Sequence, residues 1–283
     1  MVKKYFGSRK FDLLAVLSVV MVLFLAGCGG SSAHASSGTT ASKAGQASAI
    51  MRHVPVGAAT ISWDAPSKGL TVKISLIGMA PNSTHPANIN AGSCAKQGAA
   101  VYPLANVVAD AHGVGSSTTA IKNVPALPAS EWYITVSNGP GLAPADQLLP
   151  IVCSDLAFTN VSPTKTMTAQ VPLTAAPGSG ASGTAHLTLS AKTLTVKLTL
   201  GGLQPNSSHA AHIHAGSCAS QGAVVYPLQK VVANAAGNAS VTTTIHNVAS
   251  IPAHGWYVNV HYGTDISTQT GFDPIACGNI TVG

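Results

Sequence analysis

The chain has 283 residues, of which only 8% are charged and 46% hydrophobic, with a formal net charge of +6 and a pI of about 9.1. Four of the fourteen basic residues and one of the eight acidic ones lie in residues 1–27, which leaves ten against seven, or +3, for the rest. Those charges are scattered and carry no aromatic interleaving, which sets nucleic-acid binding aside, and a Thr/Ser/Val/Ala/Gly-rich composition with 17 prolines fits an all-β extracytoplasmic protein.

At the N-terminus, Lys3, Lys4, Arg9 and Lys10 precede an apolar run from Leu13 to Leu25, too short for a comfortable membrane span, and the run ends in Leu25-Ala26-Gly27-Cys28. Cysteine directly after Leu-Ala-Gly resembles the lipobox of bacterial lipoproteins. That resemblance implies that residues 1–27 are removed as a signal peptide and that Cys28 is lipidated, anchoring the protein to the outside of the cell membrane. Residues 28–45 are Gly/Ser/Ala/Thr-rich and suit a flexible tether.

The remainder is a duplication. From about Gly57 to Asp155 the sequence lies without a gap on Ala181 to Asn279, a shift of 124 residues that matches Val101-Tyr102-Pro103-Leu104 to Val225-Tyr226-Pro227-Leu228 and Trp132-Tyr133 to Trp256-Tyr257. A period this long marks two tandem domains, each long enough for its own core. We expect them at 46–160 and 161–283, with Met167 to Leu173 alternating as the first strand of the second. Besides Cys28 there are Cys94, Cys153, Cys218 and Cys277, which allow three pairings. Both Cys94 to Cys153 and Cys218 to Cys277 are 59 residues apart and related by the repeat shift, so one disulfide per domain is the economical arrangement.

Within the second unit the pattern is one short strand after another. Thr184–Ser190 and Leu194–Leu200 alternate with period two around a short turn and predict a hairpin; His209 to His214, Val241 to Ile245, Trp256 to His261 and Ile275 to Val282 continue the series. Gly, Pro and Asn separate these runs, and no stretch after the N-terminal segment has a helical period. The expected fold is all-β: two tandem Greek-key sandwiches or barrels.

The stretch His209-Ala-Ala-His-Ile-His-Ala-Gly-Ser-Cys218 puts His212 and His214 on one strand face, because alternate residues of a strand point the same way. Imidazole suits copper or zinc, and a third histidine from a neighbouring strand, His261, would surround one ion while leaving a position open. In the first repeat the matching residues are Asn88, Asn90 and Ser137, so all three proposed ligands are missing together, whereas His85 matches His209. The alternative is a set of polar residues on a solvated sheet face. His186, His246 and His254 read as surface residues.

The series His209, His212-Ile213-His214, Gly216-x-Cys218, Val260-His261 and Ala276-Cys277-Gly278-x-Ile280 resembles copper/zinc superoxide dismutase, and each unit is similar to the chordin-type (CHRD) domains. The resemblance implies copper ligands at His212, His214 and His261, a disulfide between Cys218 and Cys277, and a structural role for His209, shared with His85. It breaks down elsewhere. Between Cys218 and Val241 there is no histidine and no acid, so the separate zinc site of the dismutases is expected to be absent. Where the family places an arginine three residues before the last cysteine, this chain has Pro274, next to Asp273, and an acid there works against steering of an anionic substrate. The expectation is an envelope lipoprotein whose second domain binds copper, with zinc possible, its partners being the membrane through Cys28 and the metal ion. The alternatives are a zinc-free copper superoxide dismutase and a purely structural or adhesive surface module.

Overall fold

The computed structural model describes residues 45–159, 164–176 and 179–283. The expected signal peptide, the lipidated Cys28 and the tether up to residue 44 lie outside the described residues, as do residues 160–163 at the expected domain boundary. In chain order the first elements are β1 (Gly45–His53), β2 (Val56–Asp64), β3 (Gly69–Ile77), β4 (Thr84–Gly92), β5 (Gln97–Ala109), β6 (Gly115–Ile121), β7 (Trp132–Ser137), the single-turn α1 (Ala145–Leu148) and β8 (Pro150–Leu156). They are followed by β9 (Met167–Leu173), β10 (Ser182–Ser190), β11 (Thr193–Gly201), β12 (Ser208–His209), β13 (Ala211–Ser217), β14 (Ser220–Pro227), β15 (Val231–Val232), β16 (Ala239–His246) and β17 (Trp256–His261). The single-turn α2 (Gln269–Phe272), β18 (Pro274–Asn279) and β19 (Thr281–Val282) complete the chain.

The fold is all-β, as the alternation and turn residues predict. Two large antiparallel sheets run β8-β7-β4-β5-β6-β3-β2-β9 and β14-β13-β17-β18-β1-β10-β11-β16, with β19 added beside β1. The predicted hairpin is β10 and β11, paired from Ser182↔Gly201 to Ser190↔Thr193 across a two-residue turn in which Ala191 and Lys192 both have positive φ. That geometry matches the right-handed twist of the flanking strands. Both disulfides, Cys94–Cys153 and Cys218–Cys277, are formed.

The sheets do not follow the linear division at 160 and 161. β1 precedes the first repeat yet pairs with β10 from Gly45↔Leu189 to Met51↔Gly183, and then with β18 at Arg52↔Cys277 and His53↔Ala276. β9, expected to open the second domain, pairs instead with β2 from Gly57↔Leu173 to Trp63↔Met167. The two leading strands are thus exchanged between the halves. Their side chains follow: Ala47, Ala49 and Met51 sit in the core with Leu187, Val196, Val258 and Ile280, whereas Val171 and Leu173 sit with Ile61, Trp63, Val72 and Ile89. The physical reason lies in the duplication. Two copies of one repeated sequence offer two similar strand edges, and an alternating segment such as Met167–Leu173 specifies a strand without specifying which of the edges it fills.

Polar contacts hold the halves together. The Gln269 side chain brackets the Thr84 backbone, accepting from its N–H at 3.0 Å and donating to its carbonyl at 2.8 Å. Gln221 donates through Nε2 to the Met79 carbonyl at 2.7 Å, and His53 Nε2 donates to the Ile151 carbonyl at 3.1 Å. Val54, between β1 and β2, packs with Tyr257 and Cys277 on the outer face of the second sheet.

Candidate metal centre

β13 is the strand that carries the H-x-H pair, and it lies between β14 and β17. Residues facing each other across antiparallel strands share a sheet face. His212 is opposite Asn259 and His214 is opposite Tyr257, so the two histidines share a face with Tyr257, Asn259 and, two residues further along β17, His261. Val258 and Val260 point the other way into the core. The end of β13 needs Gly216: its φ is +101°, and a Cβ there would lie 2.4 Å from the Ser220 carbonyl oxygen. That tight return brings the Gly222 carbonyl alongside His214.

Among the described residues, His212, His214 and His261 converge so that one nitrogen from each lies within 4.8 Å of the others. His214 is 2% exposed and His261 0%, while His212 is half-buried at the rim. They are therefore not residues of a solvated sheet face. His214 donates from Nδ1 to the Gly222 carbonyl at 3.0 Å, and His261 from Nδ1 to the Phe272 carbonyl at 2.6 Å. Those bonds fix both tautomers and leave Nε2 of each ring as a bare acceptor. Both Nε2 atoms and His212 Nδ1 are buried without a hydrogen-bond partner.

Burial holds all three imidazoles in the neutral form that ligates metals. It lowers His212, assisted by the charge of His214; it lowers His214 against the bond to Gly222; and it takes His261 down to about 4, with His212 and His214 adding to the effect. The Tyr257 ring stacks on His214 at 5.1 Å with 23° between planes, and its buried hydroxyl lies against the Gly222 backbone.

His209 stands apart from this group. Its Nδ1 donates to the carbonyls of His261 at 2.9 Å and Tyr262 at 2.8 Å, and its Nε2 meets Ser207 Oγ at 2.6 Å. His85 repeats the arrangement in the first half, with Ser137 carbonyl at 2.9 Å and Ser83 Oγ at 2.8 Å. Both rings tie the end of one strand to the next. His186, His246 and His254 are exposed.

The first repeat supplies the contrast. Asn90, in place of His214, donates from Nδ2 to Thr135 Oγ1 at 3.0 Å, and Tyr133, in place of Tyr257, bonds the backbone of Gly98. None of Asn88, Asn90, Thr135 and Ser137 has a buried side-chain atom without a partner, whereas the second repeat leaves five such atoms on the same face: His212 Nδ1, His214 Nε2, both amide atoms of Asn259, and His261 Nε2. Each such orphan costs roughly 1–3 kcal/mol, so the second repeat carries a penalty on this face that the first does not.

Residues 163–265 are a CHRD domain. No curated protein matches the chain. The CHRD domain takes in His212, His214, Asn259 and His261, but stops short of α2 and of Cys277. It also begins with β9, which folds into the other sheet, and lacks β1, which completes its own. In space the CHRD domain is therefore assembled from its own strands and one contributed from more than 100 residues upstream.

Sequence reasoning missed two parts of this centre and the burial of the acid that follows it. Phe272 acts through a backbone carbonyl, which no side-chain pattern reveals. Asn259 lies in the alternation Tyr257-x-Asn259-x-His261, a signal that could have placed it on the histidine face. Asp273 is not the exposed acid that its position beside Pro274 suggests: it is 2% exposed, burial pushes its carboxyl well up, and it faces the Ala80 backbone N–H and, at 3.6 Å, His85 Nε2. A cavity of about 480 Å³ lies elsewhere between the halves, lined by His53, Asn138, Leu203 and Tyr262 among others, and does not include the three histidines.

Proposed function

We propose that the CHRD domain binds one copper ion through His212, His214 and His261, and that the protein is an extracytoplasmic metal-binding module held at the cell envelope by a lipid on Cys28. What supports the metal reading is the convergence of three histidines, each with a buried ring nitrogen that has no partner, two of them fixed by bonds from their other ring nitrogen. Ring nitrogens that hold copper or zinc at about 2.0–2.1 Å stand closer together than 4.8 Å, so closing on an ion takes sub-ångström shifts of the rings. Two disulfides favour an oxidising compartment. Copper is preferred over zinc from the resemblance of the histidine series to the dismutases.

Titration of the protein from Cys28 to the C-terminus with Cu(II) and with Zn(II), followed by equilibrium dialysis, tests this reading. One equivalent of copper is expected, lost when His212→Asn and His214→Asn give the second repeat the residues of the first. Absence of stoichiometric binding, or binding indifferent to the double substitution, overturns it. A catalytic version of the same site, superoxide dismutation, draws support from the burial of Asp273, whose raised carboxyl is not an exposed anion repelling superoxide. Superoxide consumption by the copper-loaded protein, measured against the double variant, separates a dismutase from a binding module.

A further inference from the structure

Asn259 is 0% exposed, and both its Oδ1 and its Nδ2 are buried without a hydrogen-bond partner. A buried asparagine with neither amide atom satisfied is among the costliest choices at a strand position, where valine would pack without penalty. Its location gives the reason. Asn259 lies opposite His212 on the paired strand and two residues from His261, on the face that carries all three imidazoles. In the first repeat its counterpart is Thr135, which contacts Asn90 at the position of His214, so these two sites touch when both are polar and no imidazole intervenes. The four positions change together: His212, His214, Asn259 and His261 in one half against Asn88, Asn90, Thr135 and Ser137 in the other.

We infer that Asn259 holds the small exogenous ligand of the metal centre, a water or an oxygen- or nitrogen-based anion in the coordination position that three histidines leave open. The inference rests on the reading that His212, His214 and His261 bind copper. The carboxamide offers an acceptor and a donor side by side. A bare ion could satisfy only the oxygen; a water on the metal donates to Oδ1 and an anion accepts from Nδ2, so each orphaned atom has a partner in one form of the ligand. Half-buried His212 marks the rim from which such a molecule enters.

The test uses the copper-loaded protein with azide as the probe anion, followed by the ligand-to-copper charge-transfer absorption. Asn259→Val is expected to keep one equivalent of copper and to weaken azide binding by about tenfold or more, the loss of one hydrogen bond to a charged group. Asn259→Asp has nearly the same shape but donates nothing and carries negative charge, so it weakens azide binding further. A role in packing alone would leave Asn259→Asp and Asn259→Val unordered by charge. Unchanged azide affinity in the copper-loaded variants overturns the inference, as does loss of copper from variants whose circular dichroism is native. Failure of the unsubstituted protein to bind copper overturns instead the trihistidine site on which the inference stands.

Discussion

Met51 belongs to the segment ahead of the first repeat, yet its side chain is 1% exposed in the core of the second, where its sulfur packs on Gly278 so closely that a Cβ there would lie 2.8 Å away. Met51→Ala removes that side chain from a strand that lies inside the second sheet, joined to β10 by seven pairs and to β18 on its other side. Truncation of a fully buried Met to Ala costs 2–5 kcal/mol, and with Ala47 and Ala49 unable to expand into the space we take about 3 kcal/mol. At 1.4 kcal/mol per factor of ten, amide exchange governed by opening of this sheet accelerates by about 100-fold. Hydrogen exchange followed by mass spectrometry localises the effect. Peptides covering β10, β11 and β18 are expected to exchange faster, while β2 and β3 keep their protection. Leu173→Ala, in β9, is expected to do the reverse. Faster exchange in β2 and β3 upon Met51→Ala, with β10 and β18 unaffected, would refute the strand exchange.

Three further outcomes follow from the same geometry. In the metal-free protein, burial depresses His261 from 6.5 to about 4, so its stabilising contribution is present above pH 6.5 and lost as pH falls through 4. Urea unfolding in chelator should show a decline of about 3 kcal/mol over that range that His261→Asn largely removes. Asp273 carries the opposite sign: its carboxyl is raised by burial, so its contribution is present below pH 3.8 and lost as pH rises, and Asp273→Asn is expected to raise the unfolding midpoint at pH 7 but not at pH 3. Replacing both Cys218 and Cys277 by Ala opens a loop with a sequence separation of 59 and should lower stability by about 4 kcal/mol on the chain-entropy estimate. Because Arg52 of β1 pairs with Cys277, the same replacement should also expose β1 to proteolysis.

Several features were legible because they are local. The two-residue turn at Ala191-Lys192 sits between alternating runs, and Trp256–His261 has the period of a strand, so both elements follow from the order of side chains alone. The disulfides were legible through duplication, since the same spacing occurs twice. His212 and His214 share a face by the two-residue period of the strand itself. Other features depend on partners far away in the chain. Nothing around Gly45–His53 indicates that its partner is β10 rather than β2, because the two repeats present the same kind of edge. The Phe272 carbonyl that orients His261 comes from a single turn of helix with no periodic signature.

The sequence by itself therefore determined the all-β class, the duplication, the cysteine pairs and the replacement of three histidines in one repeat by polar residues in the other, because each is written in short-range order or in comparison of the chain with itself. Tertiary structure alone decided which half owns β1 and β9, that His214 and His261 are buried rather than solvated, and that Asn259 stands among them with both amide atoms unsatisfied. The physical reason is that burial and satisfaction belong to the surroundings of a side chain. Here those surroundings are built from strands and a turn that lie from 11 to more than 100 residues away in the chain.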